Sequence, residues 1–170
     1  MVGYIEAEEF EEEEDTQRGR FLTFTIEDNV YGLPIRFVRE IIGTHIATKV
    51  PETPDYVKGI INLRGRIIPL IDVRLKFGKE EIPYTERTCI IVIDVNSIAV
   101  GLIVDKVDDV LTLEDHQIAP PPAGGTLGYE NRYLEAIGKT EETVLLLLDA
   151  EKLLRTEEME MIESIAEDNE

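Results

Sequence analysis

Short apolar runs, each closed by turn residues, follow one another from residue 20 to residue 148. Residues 21–26 are rich in aromatic and β-branched side chains and predict a strand. Glu27, Asp28 and Asn29 predict a turn, and residues 30–34 the return strand. Residues 37–42 fit either a short helical turn or a strand, ended by Gly43. Residues 46–50 predict a short strand stopped by Pro51 and Pro54. Two runs, 59–63 and 66–71, flank Arg64 and Gly65, a hairpin in which Gly65 supplies the positive φ of a tight turn. Pro69 has no backbone N–H, which predicts an edge position for the second strand. Residues 72–77 read as one helical turn ended by Gly78.

A second set of strands follows: 88–95 and 97–104, paired near Asn96, then 106–113. The stretch 118–127 holds Pro120, Pro121, Pro122, Gly124 and Gly125, and predicts a loop without regular structure. Residues 133–139 and 143–148 predict a last hairpin. Asp149 predicts the N-cap of a short C-terminal helix through Leu154, with Met159, Met161, Ile162 and Ile165 extending its periodicity toward 165. Many short strands at close spacing predict an all-β protein made of small barrels. The Pro/Gly loop and the stretch around Pro83 break the strands into two groups, so two barrels, each partly completed by the other's chain, are expected.

Length agrees, since 170 residues suffice for one domain or two very small barrels sharing a core. Charge changes the picture only at the ends. Residues 1–15 hold eight acids and no base, and residues 157–170 hold seven acids and no base. These two runs carry most of the formal net charge of -19. The expected organisation is an acidic disordered leader (1–19), a folded region of two intertwined five-stranded barrels (20–154) and an acidic C-terminal helix or tail (155–170). Acidic ends repel phosphate backbones and anionic lipid, which argues against nucleic acid and membrane partners. The leader itself reads as a solvated segment rather than an interaction tail. A single cysteine, Cys89, allows no internal disulfide and predicts a reducing, cytoplasmic setting. Its place in the apolar run 89–93 predicts a buried thiol. No signal peptide is visible, and the apolar run 144–148 is too short to span a membrane.

Catalytic chemistry finds little support. His45 and His116 stand apart, and the cysteine lies in a strand, so a metal site lacks ligands at workable spacing. No phosphate-binding loop, nucleophile elbow or zinc-protease motif is present. Asp94, Asp105, Asp108 and Asp109 are carboxylates that an acid/base pair needs, but they read as solvated charges at strand ends and turns. A hydrolase would need them clustered in a pocket, and a nucleic-acid-binding barrel would need a basic face with exposed aromatics. No enzyme and no cofactor are expected.

The most specific stretch runs from Thr53 to Arg74 and contains Lys58-Gly59-Ile60-Ile61-Asn62-Leu63-Arg64-Gly65, then an apolar run and Pro69. Tyr31-Gly32, Val38-Arg39-Glu40-Ile41, residues 100–107 and residues 149–154 accompany it in order. On these motifs the chain, from Phe21 to Leu154, closely resembles the CheW-type chemotaxis coupling proteins. The resemblance implies two tandem SH3-like β-barrels packed on each other. It implies a non-catalytic adaptor between the cytoplasmic tip of methyl-accepting chemoreceptors and the regulatory domain of the chemotaxis histidine kinase. The same fold in another receptor–kinase system, a motility or type IV pilus pathway, is the alternative.

Carried over residue by residue, the resemblance implies receptor contact at Val38, Glu40, Gly59, Asn62, Arg64 and Gly65. Arg64 at a hairpin tip offers a planar guanidinium for a carboxylate. Val38 fits an apolar anchor and Glu40 its polar rim. Gly59 and Gly65 shape the surface, and Asn62 ties down the turn. Kinase contact is expected at His45 and Ile46 and at the loop of Ile118, Pro120 and Pro121. Some relatives place a basic and an aromatic residue in that loop, where this chain has Ala119 and Gly124.

Overall fold

The computed structural model describes residues 17–122 and 132–154, and the described residues form two β-sheets. One unbroken stretch of chain makes the five-stranded sheet: β3 (Val38–Gly43), β4 (Val57–Leu63), β5 (Arg66–Asp72), β6 (Cys89–Val95) and β7 (Ile98–Val104). Its order is β3-β6-β7-β5-β4. The six-stranded sheet is built from both flanks: β1 (Arg20–Ile26) and β2 (Asn29–Pro34) before it, then β8 (Lys106–Thr112), β9 (Ile118–Ala119), β10 (Leu134–Lys139) and β11 (Val144–Leu148) after it. Its order is β8-β1-β2-β11-β10-β9. Each sheet contains one parallel pair, β5 with β7 and β2 with β11. The segment around Pro83 therefore joins two strands of one sheet and does not separate the groups. A proline ends a strand but does not choose the sheet that the next strand joins.

Three apolar clusters explain why so many strands read as unbroken apolar runs. Ile61, Ile68, Leu70, Ile90, Val92, Ala99 and Ile103 fill the inside of the five-stranded barrel. Phe21, Leu113, Leu145 and Leu147 fill the inside of the six-stranded one. The largest cluster lies between the two and draws on both, with Leu22, Phe24, Tyr31, Ile91, Ile93, Leu102, Leu146 and Leu148 among its members. Because side chains alternate along a strand, Ile90 and Val92 point into a barrel while Ile91 and Ile93 point at the other barrel. The strand β11 does the same with Leu145 and Leu147 against Leu146 and Leu148. Rings of Phe24, Tyr31, Phe77 and Tyr133 form a ladder through the shared cluster, with successive centroids 5.5, 5.2 and 5.5 Å apart.

Where the two sheets meet, Arg74 is buried and takes a fork of hydrogen bonds to Asp105, with Nε 3.1 Å from Oδ1 and Nη2 3.1 Å from Oδ2. The Asp105 carboxylate also accepts the Glu27 N–H from the β1–β2 turn at 2.9 Å. One ion pair thus ties the five-stranded barrel to a turn of the six-stranded one. The pairing to Asp105 holds the guanidinium pKa above its ordinary value, against the effect of burial.

Several local expectations need correction. The strand β5 is internal, not an edge. Pro69 is tolerated because pairing with β7 starts one residue later, at Leu70 with Gly101. Of the two alternatives for residues 37–42 the strand holds, as β3 from Val38, and the helical turn lies just before it at Ile35–Phe37. Residues 46–50 form no strand, only a bridge of Thr48 to Ile60. Ile118 and Ala119 are not loop; they add a two-residue strand to β10. Cys89 is half-buried rather than buried, since it opens β6 at the sheet end. The two capped turns are present: Asp72 precedes the helix Val73–Lys76, and Asp149 precedes Ala150–Leu153. Any helix beyond Leu154 lies outside the described residues, as do the two acidic ends and Gly124.

Candidate functional site

The β4–β5 hairpin ends in a two-residue turn in which both residues take positive φ, 53° at Arg64 and 87° at Gly65. That geometry matches the twist of the flanking strands. A glycine adopts it without strain, and Asn62 helps hold it by accepting the Gly65 N–H at 2.8 Å. The outcome is an arginine lifted clear of the barrel, its side chain 68% exposed. From there the guanidinium pairs with the Glu40 carboxylate on β3.

β3 and β4 occupy opposite edges of the five-stranded sheet, so this pair spans the seam where the barrel closes. Beside it, Asp94 on β6 pairs with Arg39 and lies 3.6 Å from Arg66. Arg39, Arg64 and Arg66 with Glu40 and Asp94 make one charged surface, and Ile41 stands exposed within β3.

The other expected residues divide by role. Val38 is half-buried and packs on the inter-barrel cluster, at the start of β3. Gly59 is buried; at φ 136° a Cβ there falls 2.2 Å from the Thr48 carbonyl oxygen, so the glycine admits the bridging segment 44–50. His45 and Ile46 lie on that segment, and Ile46 is fully exposed. They line a groove of about 390 Å³ together with Ile82, Pro83 and Tyr84. Lys58 and Glu81 pair at its wall. The sequence reading missed Ile82 and Tyr84. An Ile-Pro-Tyr run in a charged loop is the signal that was there to find. Tyr84 is anchored by its hydroxyl, which donates to the buried Asp72 at 3.1 Å. Ile118, Pro120 and Pro121 sit on the other barrel, so the two expected kinase surfaces belong to different sheets.

Three of the four carboxylates considered for catalysis are structural. Asp94 and Asp105 hold arginines, Asp108 accepts the Thr25 hydroxyl, and Asp109 exchanges backbone bonds with the Thr23 hydroxyl. The carboxylates of Asp94, Asp105 and Asp108 are tied into the sheets, whereas Asp109 is exposed and is held through its backbone. His116 pairs with Glu114 on an exposed turn, and His45 turns its Nδ1 to the Gly43 carbonyl. Among the described residues no group of three or more His, Cys, Asp or Glu is placed to hold a metal ion. No helix among them is long and apolar enough to cross a membrane.

Two SH3-like barrels sharing a core, with a charged hairpin tip laid over the seam of one, define a protein-binding adaptor. A family model described as a CheW-like domain matches residues 20–158, and the chain belongs to that family. It is 42% identical over 153 residues to the chemotaxis protein CheW of Klebsiella aerogenes, covering 89% of this chain and 91% of the relative. It is 33% identical over 144 residues to CheW of Helicobacter pylori, covering 85% and 86%. The crystal structure of the scaffolding protein TtCheW from Thermoanaerobacter tengcongensis superposes with a TM-score of 0.75 at 33% identity, covering 82% of this chain and 94% of that one. The protein is a non-catalytic chemotaxis adaptor, of the family that couples receptors to a kinase.

Proposed function

We propose that this chain joins the cytoplasmic tip of a methyl-accepting chemoreceptor to the regulatory domain of a chemotaxis histidine kinase, in the cytoplasm. The observation that carries the receptor side is the Arg64–Glu40 pair across the barrel seam. A helical-hairpin tip brings carboxylates and apolar side chains, and Arg64, Glu40 and the half-buried Val38 offer the complement. Asn62 and Gly65 hold the tip in shape, and Gly59 sets the backbone beneath it. On the kinase side, the exposed Ile46 with His45, Ile82 and Tyr84 supports one contact. Ile118, Pro120 and Pro121 supply a second, on the other barrel.

A pull-down with a receptor cytoplasmic fragment and the kinase regulatory domain tests this, using wild type, Arg64→Glu and Ile46→Asp. Wild type binds both. Arg64→Glu loses the receptor and keeps the kinase; Ile46→Asp does the reverse. A wild type that binds neither moves the function to another receptor–kinase system.

A further inference from the structure

A second groove, of about 740 Å³, opens at the end of the six-stranded barrel. Among the described residues Arg18, Arg20 and Arg36 line it, against one lining acid, Glu135, with Asp115 3.9 Å from Arg18 at its rim. Its floor is apolar: Phe21 and Leu147 come from the interior cluster of that barrel, with Ile118 packed against it. Three guanidiniums over an apolar floor suit an acidic peptide that also carries bulky apolar side chains.

The chain contains such a peptide. Residues 4–15 read Tyr-Ile-Glu-Ala-Glu-Glu-Phe-Glu-Glu-Glu-Glu-Asp and lead directly to Gln17, which itself lines the groove. The exit point is pinned: Gly19 takes φ 75°, its carbonyl accepts the Leu113 N–H at 2.7 Å, and a Cβ there would fall 2.5 Å from the Leu113 oxygen. Phe10 is seven residues before Gln17, a reach of up to about 23 Å in extended chain, enough to fold back along the groove.

We propose that the acidic segment 4–15 docks in this groove of its own chain. Its carboxylates meet Arg18, Arg20 and Arg36, and Phe10 covers the floor at Phe21 and Leu147. The docking is intramolecular, so a weak contact suffices to fill the groove. It also covers Ile118. That a kinase competes for this surface rests on the reading above; the docking itself does not.

The test is the amide NMR spectrum of the full chain. Phe10→Ser, and separately Glu8→Gln with Glu9→Gln, should shift the amides of Phe21, Ile118, Ala136 and Leu147 and leave β3 to β7 unmoved. Raising ionic strength from about 0.05 to about 0.5 M should shift the same amides in the same direction in wild type. Leader substitutions that leave the groove amides in place overturn the proposal. Wild-type groove shifts that change on dilution overturn it in favour of a second copy's leader. In trans, a synthetic peptide of residues 1–16 should bind the full-length Phe10→Ser protein, and Arg36→Glu in that protein should weaken binding by about tenfold or more, as loss of a paired charge does. Equal binding by a peptide of residues 155–170 would show charge alone at work and overturn the assignment to the leader.

Discussion

The hairpins β4–β5 and β10–β11 are built on one plan, one in each barrel. In both, the second strand lies parallel to a strand from elsewhere in the chain, β5 beside β7 and β11 beside β2. In both, it runs into an aspartate that caps a single helical turn. In both, the N–H of that aspartate is held by a tyrosine carbonyl, Asp72 by Tyr56 at 2.7 Å and Asp149 by Tyr133 at 2.8 Å. The hairpins differ at their far ends. The β10–β11 loop closes on itself, with the Thr140 hydroxyl accepting the Thr143 N–H at 3.0 Å. The β4–β5 tip instead projects Arg64 outward to Glu40. Equivalent strand pairs build equivalent cores, and the proposed receptor contact falls at the tip whose arginine is not spent on its own turn.

Cutting into each barrel's interior is the strongest way to break this equivalence. Ile68→Ala beneath one hairpin and Leu147→Ala in the other each remove a buried side chain and should cost about 2–5 kcal/mol. Urea unfolding should show one transition in both, because the inter-barrel cluster couples them; a split into two transitions would show that the barrels stand alone.

A glycine in each hairpin sharpens the comparison. Gly59→Ala should cost about 1–3 kcal/mol, because it is forced into strained backbone against the Thr48 carbonyl. Gly138→Ala on β10 meets first a Leu113 methyl at 2.7 Å, a side-chain end that can move, and should cost less. Equal thermal shifts would reject this steric account.

The caps come next. Asp149→Ala should destabilise by about 1 kcal/mol, since its carboxylate accepts the Glu151 and Lys152 N–H groups. Asp72 differs because burial pushes its carboxyl pKa up, partly offset by the Leu75 N–H, the Tyr84 hydroxyl and the charge of Lys58. A carboxyl whose folded pKa is raised stabilises the fold while protonated. That contribution is present at low pH and is lost as pH rises through the folded pKa. Asp72→Asn, which cannot ionise, should therefore gain on wild type in unfolding free energy from acid to neutral pH. A constant difference across that range would overturn the burial argument.

The smallest expected effect on stability is at the tip. Arg64→Lys should change unfolding free energy by no more than about 0.5 kcal/mol, because the arginine is largely solvated. It should nonetheless weaken receptor binding, since an ammonium cannot present a planar fork. A large loss of stability would mean that the Glu40 pair serves the barrel and not a partner.

Much of this was legible in residue order because it is local. Hairpins around Arg64-Gly65 and Asn96, and the caps Asp72 and Asp149, depend on backbone preferences a few residues wide. The motif from Thr53 to Arg74 pointed to the family for the same reason, being contiguous. What stayed hidden depends on contacts far apart in sequence. Val30 lies beside Leu145 in the parallel join that makes one barrel from both flanks of the chain, and no local signal states that pairing. The same holds for Glu40 reaching Arg64, for Arg74 buried on Asp105, and for Ile82 and Tyr84 meeting Ile46.

The sequence alone therefore determined most of the strands and turns, both caps, the all-β class, and the tip residue best suited to a carboxylate. Only the tertiary structure decided which strands share a barrel and which charges become internal pairs. It also decided which apolar side chains remain exposed, because each of these depends on the closing of long loops and on burial that no single segment achieves by itself.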